Sequence, residues 1–263
     1  VDEDDLRHAA LAVELLHNFT LVHDDIMDGD LLRHGQPTVQ NKWDNATAIL
    51  AGDGLFVEAH RAISRVRNNT QRVGAVFNDG ALAVCVGQAY DKEYEENQTI
   101  TLNDYLHMTE KKTGAMLSLC VEIPALLADQ DDGVCSQLRK FGYDIGKGFQ
   151  IQDDILEIFS DADEMGKSLG SDVIAQKQTA LTLMARKMAQ EQWSEFCQRS
   201  EGQPIDEKLT GMRTFFKDSG VYAETTAMAE EYFNNAVSDL VVIPDPGREE
   251  LVAFTNFIKN RNY

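Results

Sequence analysis

Acidic side chains crowd into one short segment near the beginning of the chain, HDDIMDGD at residues 23–30. Asp24 and Asp28 are four positions apart, with Asp25 beside them. On a helix, residues at this spacing project from the same face, so their charges repel each other. If such carboxylates are buried, protonation or a bound cation has to relieve the repulsion. The segment is therefore a candidate cation site.

A second acidic cluster repeats this spacing in the segment QIQDDILE. Gln150, Asp153, Asp154 and Glu157 follow one another along one stripe of the predicted helix. The alternative explanation is an acidic patch exposed to solvent. Apolar residues flank both clusters, which is unusual for such a patch. Ligand sets made only of oxygen atoms suit a hard cation, and they suit Mg²⁺ best when phosphate oxygens complete its coordination. The two clusters together predict a magnesium site that meets phosphate.

Positive side chains lie near both clusters, although the chain as a whole is acidic. Lys and Arg total 24 against 44 Asp and Glu, which gives a formal net charge of −20. Any one of these cations has a simple alternative explanation, an ion pair with a neighbouring acid, but their joint placement favours phosphate oxygens. The candidates are Arg33, His34, Lys112, Lys167 and Lys177, with the hydroxyl of Thr113 beside Lys112.

The composition disfavours several classes of function. A net charge of −20 repels nucleic acid and anionic membranes. For the same reason, an anionic substrate would need a bound cation. Such a charge is also typical of proteins from a saline habitat. The four cysteines are far apart and form no CxxC pair, so neither a zinc site nor a disulfide framework is predicted. No membrane span or signal peptide is evident, and we expect a cytoplasmic protein.

The elements that must position these residues are predicted to be helices. Apolar positions such as Leu11, Leu15, Val22 and Ile26 recur at steps of four or seven, and strand alternation is nearly absent. We expect an all-α protein, a single-domain helical bundle of about ten helices spanning residues 1–263. The chain opens inside a helical pattern, so further helices are expected to precede it.

At these residues the chain resembles the trans-isoprenyl diphosphate synthases, or polyprenyl synthetases. Residues 14–38 resemble the first aspartate-rich motif of that family with its flanks, and residues 146–172 resemble the second. The shorter segments AGDGLF, GQAYD, KKTGAM and KQTAL match in order and rough spacing. The resemblance runs from about residue 9 to the end.

The resemblance implies an isoprenoid synthase fold around a central cavity, usually in a homodimer. Such enzymes condense isopentenyl diphosphate head to tail with an allylic diphosphate, using Mg²⁺, with three ions expected in each active site. Phe19, five positions before Asp24, would floor the tunnel for the growing chain, and Thr20 beside it is small. That combination resembles short-chain synthases that make geranylgeranyl diphosphate.

The resemblance also assigns roles to single residues. The metal ligands would be Asp24, Asp28 and Asp153, with support from Asp25, Asp154 and Glu157 directly or through water. The allylic diphosphate would be held by Arg33, Lys112, Thr113, Gln150, Lys167 and Lys177, and isopentenyl diphosphate would contact His17. His34 and Glu157 replace a more usual arginine and aspartate, and the family's upstream Gly-Gly-Lys-Arg motif does not occur in this sequence.

Three other functions remain open at this point. A farnesyl diphosphate synthase differs only in product length, and a class I terpene cyclase also ionises a diphosphate. A non-catalytic subunit of a heteromeric synthase is the third, and the histidine at position 34 keeps it in consideration. Such subunits usually lose an aspartate motif, whereas both motifs are present here. Mg²⁺-dependent consumption of isopentenyl diphosphate separates an enzyme from such a subunit.

Overall fold

The computed structural model describes residues 1–97, 99–160 and 177–261, and this part of the chain folds almost entirely into helices. Its α-helices are α1 Glu3–Asp28, α2 Val39–Lys42, α3 Asn45–Ile63, α4 Thr70–Glu96, α5 Leu102–Thr109, α6 Ala115–Leu127, α7 Asp132–Phe159, α8 Ala180–Met188, α9 Gln190–Arg199, α10 Ile205–Asp218, α11 Val221–Asp239 and α12 Gly247–Lys259. A π-helical turn, Glu110–Gly114, joins α5 to α6, and a 3₁₀ turn, Leu240–Val242, follows α11. The all-α prediction is confirmed.

Local sequence explains where the helices of the two acidic clusters begin and end. Asp2 caps α1, because its carboxylate accepts hydrogen bonds from the first free backbone N–H groups of that helix. Gly29 ends α1 in the left-handed conformation, at a φ of 70°, directly after the first cluster. Asp131 caps α7 in the same way as Asp2 caps α1. Each cluster therefore lies in the last turns of a long helix.

A short β-hairpin follows the first cluster, although strand alternation is nearly absent from the sequence. Strands β1 (Leu32–Arg33) and β2 (Gln36–Pro37) pair in antiparallel fashion. The two residues between them, His34 and Gly35, have φ values of 50° and 73°. A two-residue turn with positive φ at both positions matches the twist of a hairpin, and histidine tolerates this conformation better than most residues.

Helix α7 is central to the bundle, because it packs against both α6 and α11, while α1 packs against α3. Large apolar side chains fill the spaces between these helices and are almost completely buried; they include Leu16, Phe77, Leu119, Phe141 and Ile151. None of the helices in the described ranges is both long enough and apolar enough to cross a lipid bilayer.

Gly142 allows the closest approach of α7 to α6. A methyl group at this position would lie 2.3 Å from Ser118 Cα, which belongs to the backbone of α6 and cannot move aside locally. We expect Gly142→Ala to lower the free energy of unfolding by about 2 kcal/mol or more, because the two helices must separate. Gly74→Ala is the matched control, since a methyl group there meets nothing within 4 Å. That variant should be stabilised by about 0.5–1 kcal/mol in urea denaturation; equal effects would contradict the packing argument.

Candidate active site

A cavity of about 720 Å³ lies between α1, α4, the π turn, α6, α7 and α12. Its walls are largely apolar, but one part carries both acidic and basic side chains. Seven of the residues predicted from the sequence line it: His17, Phe19, Thr20, Asp24, Lys112, Thr113 and Gln150. These residues are up to 133 positions apart in the chain, and the fold brings them to one cavity.

Lysine side chains neutralise the first acidic cluster. Lys112 Nζ lies 3.3 Å from Asp24 Oδ1. Both oxygens of Asp28 are engaged, with Lys92 Nζ at 3.2 Å and Lys177 Nζ at 3.0 Å. Burial alone would raise the pKa of Asp28, but the ammonium of Lys177, followed by those of its neighbours, lowers it overall. Asp28 is therefore held in its ionised form.

Asp25 points away from the other two aspartates and into the protein. It is 4% exposed, and Arg33 binds it through Nε and Nη2, both 2.6 Å from Oδ1. Gln40 Nε2 fastens the same turn by donating to the backbone carbonyls of Asp25 and Asp30, each at 2.8 Å. Burial raises the pKa of Asp25, and the Arg33 guanidinium opposes that rise. In this structure Asp25 and Arg33 therefore bind each other and anchor the hairpin to α1.

The π turn places Lys112 and Thr113 on the cavity wall. Its widened backbone fits because glycines face it from both sides: a methyl group on Gly87 of α4 would lie 2.3 Å from Lys112 N, and one on Gly146 of α7 would lie 2.4 Å from Gly114 Cα. Such turns often occur at functional sites. Thr113 Oγ1 donates to the side-chain carbonyl of Gln150 at 3.2 Å, which joins the π turn to α7.

Asp91 on α4 is the strongest partner of Lys112, with Oδ2 2.5 Å from Nζ. Burial lowers the pKa of Lys112, but the charges of Asp91 and then Asp24 outweigh that effect and raise it. Lys112 is thus a permanent cation held between two helices. The sequence analysis did not identify Asp91, because nothing local in GQAYD indicates a partner 21 residues away.

The second cluster divides into one buried and one accessible aspartate. Asp154 is 4% exposed and accepts hydrogen bonds from the Tyr105 hydroxyl and the Ala180 backbone N–H, both at 2.7 Å, and from Gln150 Nε2 at 3.2 Å. It joins α5, α7 and α8 rather than facing the cavity between α1 and α7. Asp153, the next residue, has a side chain that is 45% exposed. The local sequence pattern does not distinguish Asp153 from Asp154, so only tertiary packing separates their roles.

Arg261, beyond the end of α12, binds Asp153. Its Nη2 lies 2.8 Å from Asp153 Oδ1, and its guanidinium stacks 3.7 Å from the ring centre of Phe149. Gln152 Nε2 holds the same segment by donating to the carbonyls of Lys259 and Arg261 at 2.9 and 3.2 Å. A cation therefore occupies one oxygen of Asp153, as lysines occupy Asp24 and Asp28.

Burial raises the pKa of Asp154 to about 7, against an ordinary value of 3.8, although the hydrogen bonds from Ala180 and Tyr105 favour the ionised form. Folding is therefore linked to proton uptake, and this contribution to stability is present below about pH 4 and lost as the pH rises through about 7.

We expect the unfolding free energy of the wild-type protein to fall relative to that of Asp154→Asn between pH 5 and 7.5. Urea denaturation at several pH values measures the difference; parallel pH dependences would contradict it, and Glu230→Gln on the exposed side of α11 is the control.

Phe19 lines the cavity, and aromatic neighbours hold its ring in place. Its ring centre lies 5.0 Å from that of Phe56 on α3 and 4.8 Å from that of His23. His23 in turn packs on Gly52 of α3, where a methyl group would lie 2.2 Å from its Nε2. His23 therefore orients α1 on α3, and Phe19 and Asp24 share one cavity despite their different helix faces.

Several predicted residues do not line the cavity, among them Asp25, Asp28, Arg33, Asp153 and Asp154. His34 is exposed at the hairpin turn, and Glu157, one turn after Asp153, lines a second pocket of about 450 Å³ with Lys177. Lys167 lies outside the described residues. The sequence analysis missed Lys92, Asp91, Tyr105 and Arg261, whose contacts join helices far apart in the chain.

The donor set fits a hard divalent cation whose coordination is completed from outside the protein. Within the described ranges, no three acidic, histidine or cysteine side chains converge on one point, so these residues alone supply no closed metal cage. Asp24, Asp28 and Asp153 each offer carboxylate oxygens that now contact ammonium or guanidinium groups. Mg²⁺ is commonly held by one or two carboxylates, water and substrate phosphate, which is the arrangement that these residues allow.

Comparison with known proteins gives matches along the whole chain. Residues 1–209 match the family model described as polyprenyl synthetase. Geranylfarnesyl diphosphate synthase of Natronomonas pharaonis is 35% identical over 100% of this chain and 77% of its own length. The crystal structure of geranylgeranyl pyrophosphate synthetase from Pyrococcus horikoshii has a TM-score of 0.92 and 31% identity, over 99% of this chain and 81% of that one. The crystal structure of polyprenyl synthase from Caulobacter crescentus, in complex with calcium and isoprenyl diphosphate, has a TM-score of 0.90 and 26% identity, over 100% of this chain and 80% of that one.

Proposed function

Because the chain belongs to the polyprenyl synthetase family and is a trans-prenyltransferase that makes short-chain isoprenyl diphosphates, we propose that it makes geranylgeranyl diphosphate in a Mg²⁺-dependent reaction. It would join isopentenyl diphosphate head to tail to allylic diphosphates. The observation that carries this proposal is a single cavity with Asp24, Lys92 and Lys112 on one part of its wall and Phe19 on another. Diphosphate would bind at the charged part and the growing hydrocarbon chain at the apolar part.

Three aspartates would hold the metal. Asp24 and Asp28 lie on α1, and Asp153 lies on α7, so the ions would be bound between two helices. Up to three ions are expected, because diphosphate offers several oxygens in addition to these carboxylates. Mg²⁺ bound there would stabilise the negative charge that develops on diphosphate as the allylic C–O bond breaks. Asp154 and Asp25 would act by positioning these helices rather than as metal ligands.

The protein's own cations would stabilise the same leaving group. Lys112 is fixed between Asp91 and Asp24, so its ammonium is in place before the reaction begins, and preorganised charge of this kind lowers the barrier. Lys177 and Lys167 would add to it, with Thr113 and Gln150 contacting the diphosphate from the wall. Arg33 would contribute indirectly, through its pairing with Asp25, and His17 would contact isopentenyl diphosphate.

The apolar wall has a chemical task as well. Ionisation leaves an allylic carbocation, which water would capture before the isopentenyl double bond could attack it. Met116, Leu117 and Val84 line the cavity beside Thr113, so they would exclude water from the reacting carbons. The proton released after the new C–C bond forms would pass to the departing diphosphate, which remains close by.

Product length is set by where the cavity ends. Phe19, held by Phe56 and His23, would stop the chain at twenty carbons, and the similarity to a geranylgeranyl pyrophosphate synthetase supports this length. A twenty-five-carbon product is the second candidate, because one relative is named geranylfarnesyl diphosphate synthase. Thr20 beside Phe19 is small and donates to the His17 carbonyl, at 2.7 Å, so it adds no second barrier.

We also propose that the enzyme is a homodimer. Apolar side chains on α3 and α4 are left exposed in the single chain, notably Leu50 at 70%, Val57 at 56% and Leu82 at 65%. Exposed apolar side chains of this size are commonly covered by a partner subunit. Sedimentation velocity would give the mass in solution; a monomer at micromolar concentration would contradict this part of the proposal.

The direct test uses labelled isopentenyl diphosphate with dimethylallyl, geranyl or farnesyl diphosphate in turn. We expect extracted products of twenty carbons with Mg²⁺ and none with EDTA. A longer or shorter product would preserve the reaction and correct the assignment of Phe19 as the floor. No incorporation with any primer would contradict the enzymatic function and favour a non-catalytic subunit.

A further inference from the structure

Lys92 is a lysine of α4 that no step of the proposed reaction uses. Its ammonium donates to three oxygens: Asp28 Oδ1 at 3.2 Å, Glu95 Oε1 at 2.9 Å and the Met27 carbonyl at 3.2 Å. An ammonium group has three N–H donors, so every donor of Lys92 has an acceptor. The Met27 carbonyl belongs to the last turn of α1, where the helix dipole also favours a cation. Lys92 is therefore a fixed charge and not a freely moving surface side chain.

The position of this charge bears directly on Asp28. Lys92 takes one carboxylate oxygen of Asp28 and Lys177 takes the other, at 3.0 Å. The side chain of Asp28 is only 13% exposed, so water screens these contacts incompletely. Lys92 also lines the cavity together with Asp24. Any divalent ion that binds Asp28 must compete with an ammonium for the same lone pairs and is repelled by its charge.

We propose that Lys92 is an internal counter-cation that a divalent ion has to displace from Asp28. The inference rests on the proposed function only in naming Asp28 as a metal ligand. Lys92 keeps the affinity of the first cluster for metal alone low, so that metal is held firmly only when diphosphate supplies additional oxygens. In the absence of substrate, the same contact relieves the repulsion between Asp24 and Asp28.

A purely structural role for Lys92 makes different predictions. Lys92 and Glu95 are three residues apart on α4, and an ion pair at this spacing stabilises a helix only slightly. If stabilising contacts of this kind were its whole role, removing Lys92 would lower stability slightly and leave metal binding unchanged. The two explanations are therefore separated by metal affinity and not by stability.

The test measures binding of Mn²⁺, which prefers the same oxygen ligands as Mg²⁺, without any diphosphate. Free Mn²⁺ is counted from its electron paramagnetic resonance signal during titration of the full chain. The variants are Lys92→Met, which keeps the length of the side chain without its charge, and Lys92→Arg, which keeps the charge. Lys187→Met, at an exposed position on α8, controls for the change in net charge. Circular dichroism establishes that each variant is folded.

We expect Lys92→Met to bind Mn²⁺ about tenfold more tightly than the wild-type protein, because a unit charge a few ångströms away is removed. Lys92→Arg should bind about as weakly as the wild type, and Lys187→Met should change the affinity less than about twofold. Equal or weaker binding by folded Lys92→Met, or no binding by any of the proteins, would overturn the proposal. If Lys92→Met does not fold, Lys92→Gln retains a donor for Asp28 and is judged by the same outcome.

The outcome of this measurement does not depend on whether the proposed function is correct. It contains no prenyl substrate, so an inactive chain still reports whether Lys92 competes with metal. Conversely, an active enzyme whose Lys92→Met variant shows unchanged Mn²⁺ affinity would retain the proposed function and lose only this inference.

Discussion

Replacing Asp24 by alanine should reduce kcat/KM for the condensation by about a thousandfold, because the variant loses a carboxylate that we propose holds the ions on the leaving diphosphate. Lys112 keeps its contact with Asp91 at 2.5 Å, so the cavity wall should keep its shape and the variant should fold normally. Product formation from labelled isopentenyl diphosphate at a series of Mg²⁺ concentrations measures the loss. Raising Mg²⁺ should restore part of the activity.

Two further variants show whether the effect belongs to the charge at this position. Asp24→Asn keeps nearly the same volume, and we expect it to lose almost as much activity as the alanine variant. Glu230→Ala removes an exposed acid from α11 and should have full activity. Wild-type kinetics in Asp24→Ala, or an equal loss in Glu230→Ala, would contradict the assignment of Asp24 as a metal ligand.

Replacing Phe19 by alanine should lengthen the main product beyond twenty carbons. The ring of Phe19 lines the cavity and packs against the rings of Phe56 and His23, so its removal opens space where the chain is expected to stop. Each added unit is five carbons, and chromatography of the dephosphorylated products resolves one unit. The rate of the first condensation should change little, because Phe19 is not part of the charged wall.

Phe257→Ala is the matched control for this variant. It removes the same side chain from α12, at a position that is 72% exposed and outside the cavity. Its product should be unchanged. An unchanged product in Phe19→Ala would show that another residue ends the cavity, while a longer product in both variants would indicate a general loosening of the bundle.

Helical periodicity was sufficient to predict the placement of the two acidic clusters. Asp24 and Asp28 share a helix face because the spacing is local, and the same holds for Gln150 and Asp153. Periodicity did not predict that Asp25 and Asp154 would be buried while the adjacent Asp24 and Asp153 are more exposed. Asp25 and Asp154 are both buried because of neighbours distant in sequence, Arg33 on a hairpin and Tyr105 on another helix.

The ion pairs of the cavity wall also depend on tertiary packing. Asp91 is the nearest partner of Lys112, although the sequence pattern around it does not indicate that contact. Neither Lys92 nor Arg261 was predicted, because a single lysine or arginine has no local signature of a tertiary ion pair. Their positions follow from which helices the apolar core places side by side.

The π turn between α5 and α6 has a consequence for how this region changes over evolution. It contains one more residue than an α-helical turn would, and each residue of a helix advances the chain by about 100°. Loss of one residue from this turn would return it to α-helical geometry and keep the faces of α5 and α6, while Lys112 and Thr113 would shift by up to that angle and leave their places on the cavity wall. Exchanging one amino acid for another leaves this register intact. Among descendants of this sequence, the segment should therefore tolerate many substitutions while its length stays constant.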